Sequence, residues 1–105
     1  MAFPVSAALL DAIVLAIVAR EGTYGYKITQ DVRQVMDISE STLYPVLRRL
    51  LKDGSLSTYD QAIAGRIRRY YQITSDGLAK LDAYRSDWVV FRNSIEQVLG
   101  GREDK

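Results

Sequence analysis

The side chains best suited to chemistry in this chain are arginines, and their grouping suits the binding of phosphate groups. Residues 44–73 contain six basic and two acidic side chains, a local charge of +4, whereas the rest of the chain carries −3. The overall net charge is only +1. Positive charge gathered in one stretch of a nearly neutral protein predicts a localised surface for a polyanion. The basic residues are Arg48, Arg49, Lys52, Arg66, Arg68 and Arg69.

The composition argues against catalysis. The chain contains neither Cys nor His, which excludes disulfides, thiol catalysis, histidine acid–base chemistry and the common zinc-ligand sets. Catalysis would need a carboxylate or a Lys/Ser site, and the sequence shows no paired constellation of that kind. We therefore expect no enzymatic activity, no cofactor and no bound metal.

Length and hydropathy predict one small domain in the cytoplasm. A chain of 105 residues with 48% hydrophobic content is expected to fold around a single modest core. The apolar segment at residues 7–19 is interrupted by Asp11 and is too short to span a bilayer. The first positive charge is Arg20, so this segment lacks the basic start of a signal peptide. A cytoplasmic location is the default expectation.

Periodicity predicts two helices in the first third of the chain. Ser6 is a plausible N-cap for the first, which covers residues 7–19 and is apolar on nearly every face. Such a helix is buried on more than one side, and in so small a protein we expect part of that burial to come from a partner subunit. The second helix is predicted over residues 26–35, with Ile28, Val32 and Val35 on its apolar face.

The third helix lies in the basic stretch, and its start is ambiguous. Ser39 can cap it, but Asp37 and Glu40 also fit a capping box. Pro45 falls inside the segment, where a proline in a helix interior costs about 3 kcal/mol. Either the helix starts late, near Ser41, or it bends at Pro45.

A β-hairpin is predicted next. Residues 56–60 pair with residues 66–73 across a five-residue loop at 61–65 that contains Gly65. Arg69 falls on the otherwise apolar face of the return strand, and the pattern alone does not decide its environment. We expect the opposite face to be largely exposed to solvent, and its members are Arg66, Arg68, Tyr70 and Gln72.

A long final helix begins after Thr74, Ser75 or Asp76, each of which can act as an N-cap. Its apolar residues recur in a heptad-like stripe, the pattern of a helix that packs lengthwise on another helix. Little of the chain remains to cover that stripe, so a homodimer formed by this helix and the first one is the economical solution. The stripe consists of Leu78, Leu81, Tyr84, Trp88, Phe91, Ile95, Val98 and Leu99.

The order helix, helix, helix, strand, strand, helix is that of a winged helix-turn-helix, a mainly α (α+β) fold. The segments TYGYKITQDV, STLYPVLRRLLKDGSL and GRIRRYYQITSDG also resemble the PadR family of bacterial transcriptional regulators, over about residues 9–77. The single short C-terminal helix resembles the small subgroup of that family. Many members have Pro where this chain has Ile67, which we expect to alter the shape of the wing slightly. The resemblance rests on Leu43-Tyr44-Pro45, Leu47-Arg48-Arg49-Leu50, Gly54 and Gly65-Arg66-x-Arg68-Arg69-Tyr70-Tyr71-x-Ile73-Thr74.

The resemblance implies a dimeric repressor that binds double-stranded DNA at a palindromic operator near its own or a neighbouring gene. The third helix would enter the major groove, and the wing would reach the flanking minor groove or backbone. Residues 1–73 would form the DNA-binding domain, 74–100 the dimerisation helix and 101–105 a charged tail. The residues implied in DNA binding are Ser39, Ser41, Thr42 and Tyr44 for bases or phosphates, Tyr24, Lys27 and Arg48 or Arg49 for phosphates, and Arg66, Arg68 and Arg69 in the wing.

Simpler interpretations compete with several of these assignments. Arg48 and Arg49 fit equally the solvated face of an amphipathic helix, and Arg69 fits a structural salt bridge. Tyr44 can pack against the first two helices, and Tyr70 and Tyr71 are typical strand-packing residues. For the whole chain, the alternative is a winged-helix module that binds another protein and not DNA.

Trp88 lies near the middle of the last helix, where a two-fold axis could bring two copies together. Its simplest interpretation is a core residue of the dimer interface. The resemblance implies a further possibility, because some small members of the family bind flat aromatic compounds between paired tryptophans at the dimer centre. Trp88 is therefore also a candidate ligand-binding residue for a small aromatic effector.

Overall fold

The computed structural model describes residues 6–100, which form four helices and one three-stranded antiparallel sheet. The elements are α1 (Ala7–Arg20), β1 (Thr23–Tyr24), α2 (Gly25–Arg33), α3 (Glu40–Lys52), β2 (Leu56–Ile63), β3 (Arg66–Ile73) and α4 (Ser75–Leu99). The strand order in the sheet is β1-β3-β2. This is the expected winged helix-turn-helix, with α2 and α3 as the helix pair and the β2–β3 hairpin as the wing. The predicted tail at residues 101–105 lies outside the described residues.

Helix α1 forms the centre of the core. It begins as predicted at Ser6, whose Oγ accepts a hydrogen bond of 3.1 Å from the amide of Leu9. Val14, Leu15 and Val18 are almost completely buried, because α1 packs against α2, α3, α4 and β3 of its own chain. We expected a partner subunit to cover part of the apolar surface of α1. Most of that surface is covered within the chain.

The helix-turn-helix pair packs its apolar stripes against α1. Helix α2 ends earlier than predicted. The Gln34 amide donates to the carbonyl oxygen of Asp31 and the Val35 amide to that of Val32, each three residues back, and Val35 lies beyond the helix with 64% of its surface exposed. Helix α3 begins at Glu40 with Ser39 as its cap, and Pro45 is its sixth residue. Its fully buried side chains are Leu43, Leu47 and Leu50.

The wing is longer and its turn tighter than the sequence indicated. Strand β2 continues to Ile63, and only Ala64 and Gly65 connect it to β3, so the prediction of a five-residue loop was wrong. Both turn residues have positive φ, 52° at Ala64 and 78° at Gly65, the signature of a two-residue hairpin turn. Ala is uncommon in that conformation, so the turn was hard to recognise from residue types alone.

Helix α4 is anchored at its start to the α3–β2 turn. The Oγ1 of Thr74 accepts a hydrogen bond of 3.0 Å from the Gly77 amide and lies 2.6 Å from the carbonyl oxygen of Gly54. Lys80 Nζ lies 2.9 Å from Asp53 Oδ2. Burial alone would raise the pKa of Asp53, but hydrogen bonds from Ser55 and Lys80 outweigh it and lower that pKa. These contacts fix the direction in which α4 leaves the body.

Candidate nucleic-acid interface

Three hydroxyl groups converge at the start of α3. Ser39 Oγ lies 3.0 Å from Ser41 Oγ and 3.1 Å from Thr42 Oγ1, and all three residues are exposed. The cap geometry causes this grouping, because Ser39 turns its side chain back to accept from the amide of Thr42. Hydroxyls can donate to phosphate oxygens or bond to base edges, so the cluster suits a surface that contacts nucleic acid.

Tyr44 and Arg48 follow one and two turns later on α3. The ring of Tyr44 is partly buried and packs on the start of α2, where a Cβ added to Gly25 would lie 3.0 Å from Tyr44 Cε1. Arg48 is exposed. Burial raises the pKa of Tyr71 on β3, while the nearby positive charges of Arg69 and Arg48 oppose that rise. The Tyr71 side chain is partly buried.

Arg49 has a partner within its own chain. Its Nη1 and Nη2 lie 2.8 Å and 2.6 Å from the two carboxylate oxygens of Asp11 on α1. Asp11 is 7% exposed, whereas the Arg49 side chain is 47% exposed. The hydrogen bonding of Arg49 to the Asp11 carboxylate is the largest cause of the raised pKa of Arg49. The sequence held a sign of this pair, because a lone carboxylate in an apolar helix is rarely buried unless it is paired.

Lys27 projects from the first turn of α2. Its Nζ lies 2.7 Å from Asp31 Oδ1, and this hydrogen bond is the largest cause of its raised pKa. The Lys27 side chain is 48% exposed, so the pair is a surface interaction of the kind that contributes little to stability. Lys27 can exchange this partner for a phosphate at little cost.

The three wing arginines have three different environments. Arg66 is exposed next to the turn. Arg69 lies directly opposite Asp60, with Nε 3.7 Å from Oδ1 and both side chains more than half exposed. Arg68 is partly buried, with its guanidinium carbon 4.4 Å from the centre of the Tyr24 ring. The expectation of a largely solvated face was thus right for Arg66 and wrong for Arg68, because β1 adds an aromatic ring beside it.

Strand β1 was not predicted from the sequence. It contains only Thr23 and Tyr24, which pair with Tyr71 and Tyr70 of β3. Two residues are too few to produce an alternating pattern, so no periodicity could reveal them. Tyr24, a phosphate candidate from the sequence, lies in β1 and is the N-cap residue of α2 without a capping bond from its side chain.

An apolar groove runs between α1 and α4 and reaches the turn that follows α2. Its volume is about 410 Å³, and it adjoins a smaller hollow of about 180 Å³. Trp88 lines both and is 44% exposed, with its ring centre 6.2 Å from that of Phe91. The groove is lined by Leu9, Ala12, Ile13, Ala16, Val35, Met36, Leu81, Tyr84, Arg85 and Trp88.

The second half of α4 projects from the body with its apolar side chains uncovered. The molecule extends 62 Å along its longest axis and only 20 Å along its shortest. Beyond Trp88, Phe91 is 58% exposed and Leu99 is 74% exposed. Within residues 6–100, no group of acidic side chains is arranged to hold a metal ion, and no helix is long and apolar enough to cross a membrane.

The fold and this surface define a winged helix-turn-helix protein with hydroxyls at the start of its second motif helix and arginines on its wing. The chain belongs to the transcriptional regulator PadR-like family, whose family model matches residues 14–83. It is therefore a transcriptional regulator by family, and regulators of this family are not enzymes.

Individual relatives agree with this assignment. The chain is 36% identical over 80 residues to a transcriptional regulator from Mycobacterium tuberculosis, covering 75% of this chain and 72% of the relative. A crystal structure from Streptococcus mutans has 42% identity and a TM-score of 0.88, covering 100% of this chain and 99% of that one. A PadR-like transcriptional regulator from Bacillus cereus has 28% identity and a TM-score of 0.81, with coverage of 89% and 93%.

Proposed function

We propose that this chain is a DNA-binding repressor that acts as a homodimer on a palindromic operator of its own or a neighbouring operon. The observation that carries the proposal is the exposed hydroxyl cluster of Ser39, Ser41 and Thr42 at the start of α3, a helix that packs on strand β2 of the arginine-bearing hairpin. The chain thereby combines an exposed helix start with a basic wing. That combination fits a helix in the major groove and a hairpin beside the flanking phosphates.

The proposed contacts divide by chemistry. The hydroxyls of Ser39, Ser41 and Thr42 are exposed at the end of α3 that would enter the groove, so they are assigned to bases or adjacent phosphates. Arg48 lies farther along α3 and is assigned to a phosphate.

The remaining basic candidates are assigned to the DNA backbone, except that Arg69 and Arg49 each have an acidic partner within the chain. Lys27 is assigned to a phosphate, and Arg66 and Arg68 are the main contacts of the wing. Arg69 contributes less, because Asp60 opposite it cancels part of its charge. Arg49 holds α3 to α1 through Asp11, which gives it a structural role.

Dimerisation is proposed through α4 and the apolar groove. Residues 1–73 form the DNA-binding part, and residues 74–100 form the dimerisation helix. The support is the uncovered apolar surface on α4, which a second copy would bury together with the groove beside α1. A two-fold dimer presents two copies of α3, so its target is a two-fold DNA site. We place the dimer in the cytoplasm, where its DNA is.

The test of the proposed function is selection of genomic DNA fragments by the purified protein, followed by salt titration of the best fragment. We expect a palindrome with half-sites about one helical turn apart, because each protomer inserts one α3. The logarithm of the affinity should fall with the logarithm of salt concentration, with a slope of about −0.9 for each neutralised phosphate. Failure to enrich any sequence, or a flat salt response, would instead favour a module that binds another protein.

A small aromatic effector is the second part of the proposal. Trp88 lines the groove from α4, and its exposed ring can stack on a planar molecule, for about 0.5–1.5 kcal/mol beyond burial. A ligand in this position touches both helices that are proposed to form the dimer. Binding there could therefore change the spacing of the two α3 helices and release the DNA.

The effector hypothesis can be tested by fluorescence, because Trp88 is the sole tryptophan of the chain. We expect proflavine, a planar aromatic dye, to quench its emission in a saturable manner with a Kd in the micromolar range, about −8 kcal/mol or weaker. N-acetyltryptophanamide at equal absorbance corrects for light absorbed by the dye. Quenching that rises linearly with dye, as for the free amide, would overturn this part of the proposal.

A further inference from the structure

Three tyrosine rings form one row across the sheet. Tyr24 of β1, Tyr70 of β3 and Tyr59 of β2 are directly paired neighbours in the strand register. The ring centres of Tyr24 and Tyr70 are 5.6 Å apart in an edge arrangement, and those of Tyr59 and Tyr70 are 5.5 Å apart in a stack. Both separations lie in the range in which aromatic pairs attract. The row thus ties the two-residue strand β1 to the whole width of the wing.

Arg68 lies on this row. It is two residues before Tyr70 on β3, so both side chains leave the same face of the sheet, and its guanidinium lies over the ring of Tyr24 on the diagonal. Arg66 shares that face but is exposed beside the turn, and the Arg69 side chain is 66% exposed on the other face. Of these three wing arginines, Arg68 is the one whose guanidinium stacks on a ring.

Stacking of this kind leaves an arginine free to bind. When a guanidinium lies flat on a ring, its N–H donors lie in a plane parallel to the ring and remain available to a ligand. An arginine held in this way has already lost much of its rotamer freedom, so it loses less when it meets a phosphate. Tyr24 is also the N-cap residue of α2, so the stack fixes Arg68 relative to the helix-turn-helix and not only within the wing.

We propose that Tyr24 is a positioning residue for Arg68: its ring, anchored by Tyr70 and Tyr59, holds the guanidinium towards the DNA backbone. This inference rests on the proposed function, and it differs from a direct contact between the Tyr24 hydroxyl and a phosphate. The ring carries the effect, so phenylalanine can replace tyrosine at this position. The hydroxyl would carry the effect in a direct contact, and phenylalanine could not.

The experiment measures operator affinity for Tyr24→Phe, Tyr24→Leu, Arg68→Ala and the double variant Tyr24→Leu/Arg68→Ala, with urea unfolding of each as a check on folding. We expect Tyr24→Phe to bind within about twofold of wild type and Tyr24→Leu to bind about tenfold more weakly, the size of a lost cation–π contact in each half-site. The double variant should bind no more weakly than Arg68→Ala alone, since both changes remove the same contact. Tyr59→Leu removes the far end of the row that supports Tyr24, so we expect a smaller loss than for Tyr24→Leu, and this loss should likewise not multiply with that of Arg68→Ala.

A second pair of variants leaves Tyr24 intact and keeps the test valid if Tyr24→Leu does not fold. Arg68→Lys keeps the charge but loses the flat stacking surface, so we expect it to weaken binding about fivefold or more. Arg66 is exposed and does not stack on a ring, so Arg66→Lys should bind within about twofold of wild type. Equal effects of the two lysine variants would overturn the inference.

The failure of this inference is distinguishable from the failure of the proposed function. If Tyr24→Phe is as weak as Tyr24→Leu, or if the losses in the double variant multiply, the wild type still binds its operator and only the positioning role is wrong. If the wild type selects no DNA sequence, the proposed function fails and the positioning role fails with it.

Discussion

Replacing Arg66 and Arg68 together by glutamate is expected to weaken operator binding at 0.15 M salt by at least about 100-fold. Each lost phosphate contact removes about 0.9 from the salt slope, and a dimer loses about four such contacts when both wings are changed. At 0.15 M salt, four contacts correspond to roughly three orders of magnitude in affinity. We expect a smaller loss, of at least about 100-fold, because one arginine can partly replace another. The measurement is fluorescence anisotropy of the labelled operator at several salt concentrations.

The matched control reverses two arginines that lie away from the proposed interface. Arg20 at the end of α1 and Arg92 in the second half of α4 are both exposed, and Arg92 lies outside the apolar stripe of α4; because α4 is the proposed dimerisation helix, sedimentation checks that the control variant is still a dimer. Their replacement by glutamate changes the net charge by the same amount, so any general repulsion from DNA is equal in the two double variants. We expect the control to lose less than about tenfold, with its salt slope nearly unchanged. If the wing variant binds as tightly as this control, the assignment of the wing to DNA is wrong.

The sequence predicted the fold well because its signals are local. Ser6, Ser39 and Thr74 each cap the helix that was expected to follow, and each side-chain oxygen accepts an amide hydrogen bond from three residues ahead. Apolar periodicity located α1, α3 and α4, since each buries a face that recurs every three or four residues. Such features depend on residues close together in the chain, and a single sequence contains them in full.

The sequence could not predict features that depend on residues far apart. Asp11 and Arg49 are 38 positions apart, and only the packing of α1 on α3 brings them within bonding distance. The stack of Arg68 on Tyr24 requires β1, which is too short to recognise and forms only beside β3. The presence of arginines on α3 and the wing was therefore predictable, whereas the partner of each arginine was not.

Replacing Arg49 by alanine is expected to destabilise the protein by about 2–4 kcal/mol. The change leaves the carboxylate of Asp11, which is 7% exposed, without either of its two hydrogen-bond donors. The expected loss is below that of a fully buried pair, because 47% of the Arg49 side chain is in contact with solvent. Urea unfolding at a fixed protein concentration measures the change, since the stability of a dimer depends on concentration.

Asp11→Ala and the double variant with Arg49→Ala test why the loss of stability is large and whether Arg49 also contacts DNA. Asp11→Ala should cost less, about 1–2 kcal/mol, because the remaining arginine can turn its charge into water. The double variant Asp11→Ala/Arg49→Ala should therefore be more stable than Arg49→Ala alone, because no unpaired charge remains buried. If Arg49 has only a structural role, the folded double variant binds the operator like wild type with an unchanged salt slope. A slope shallower by about 2 for the dimer would instead place Arg49 on the DNA backbone and contradict the structural role.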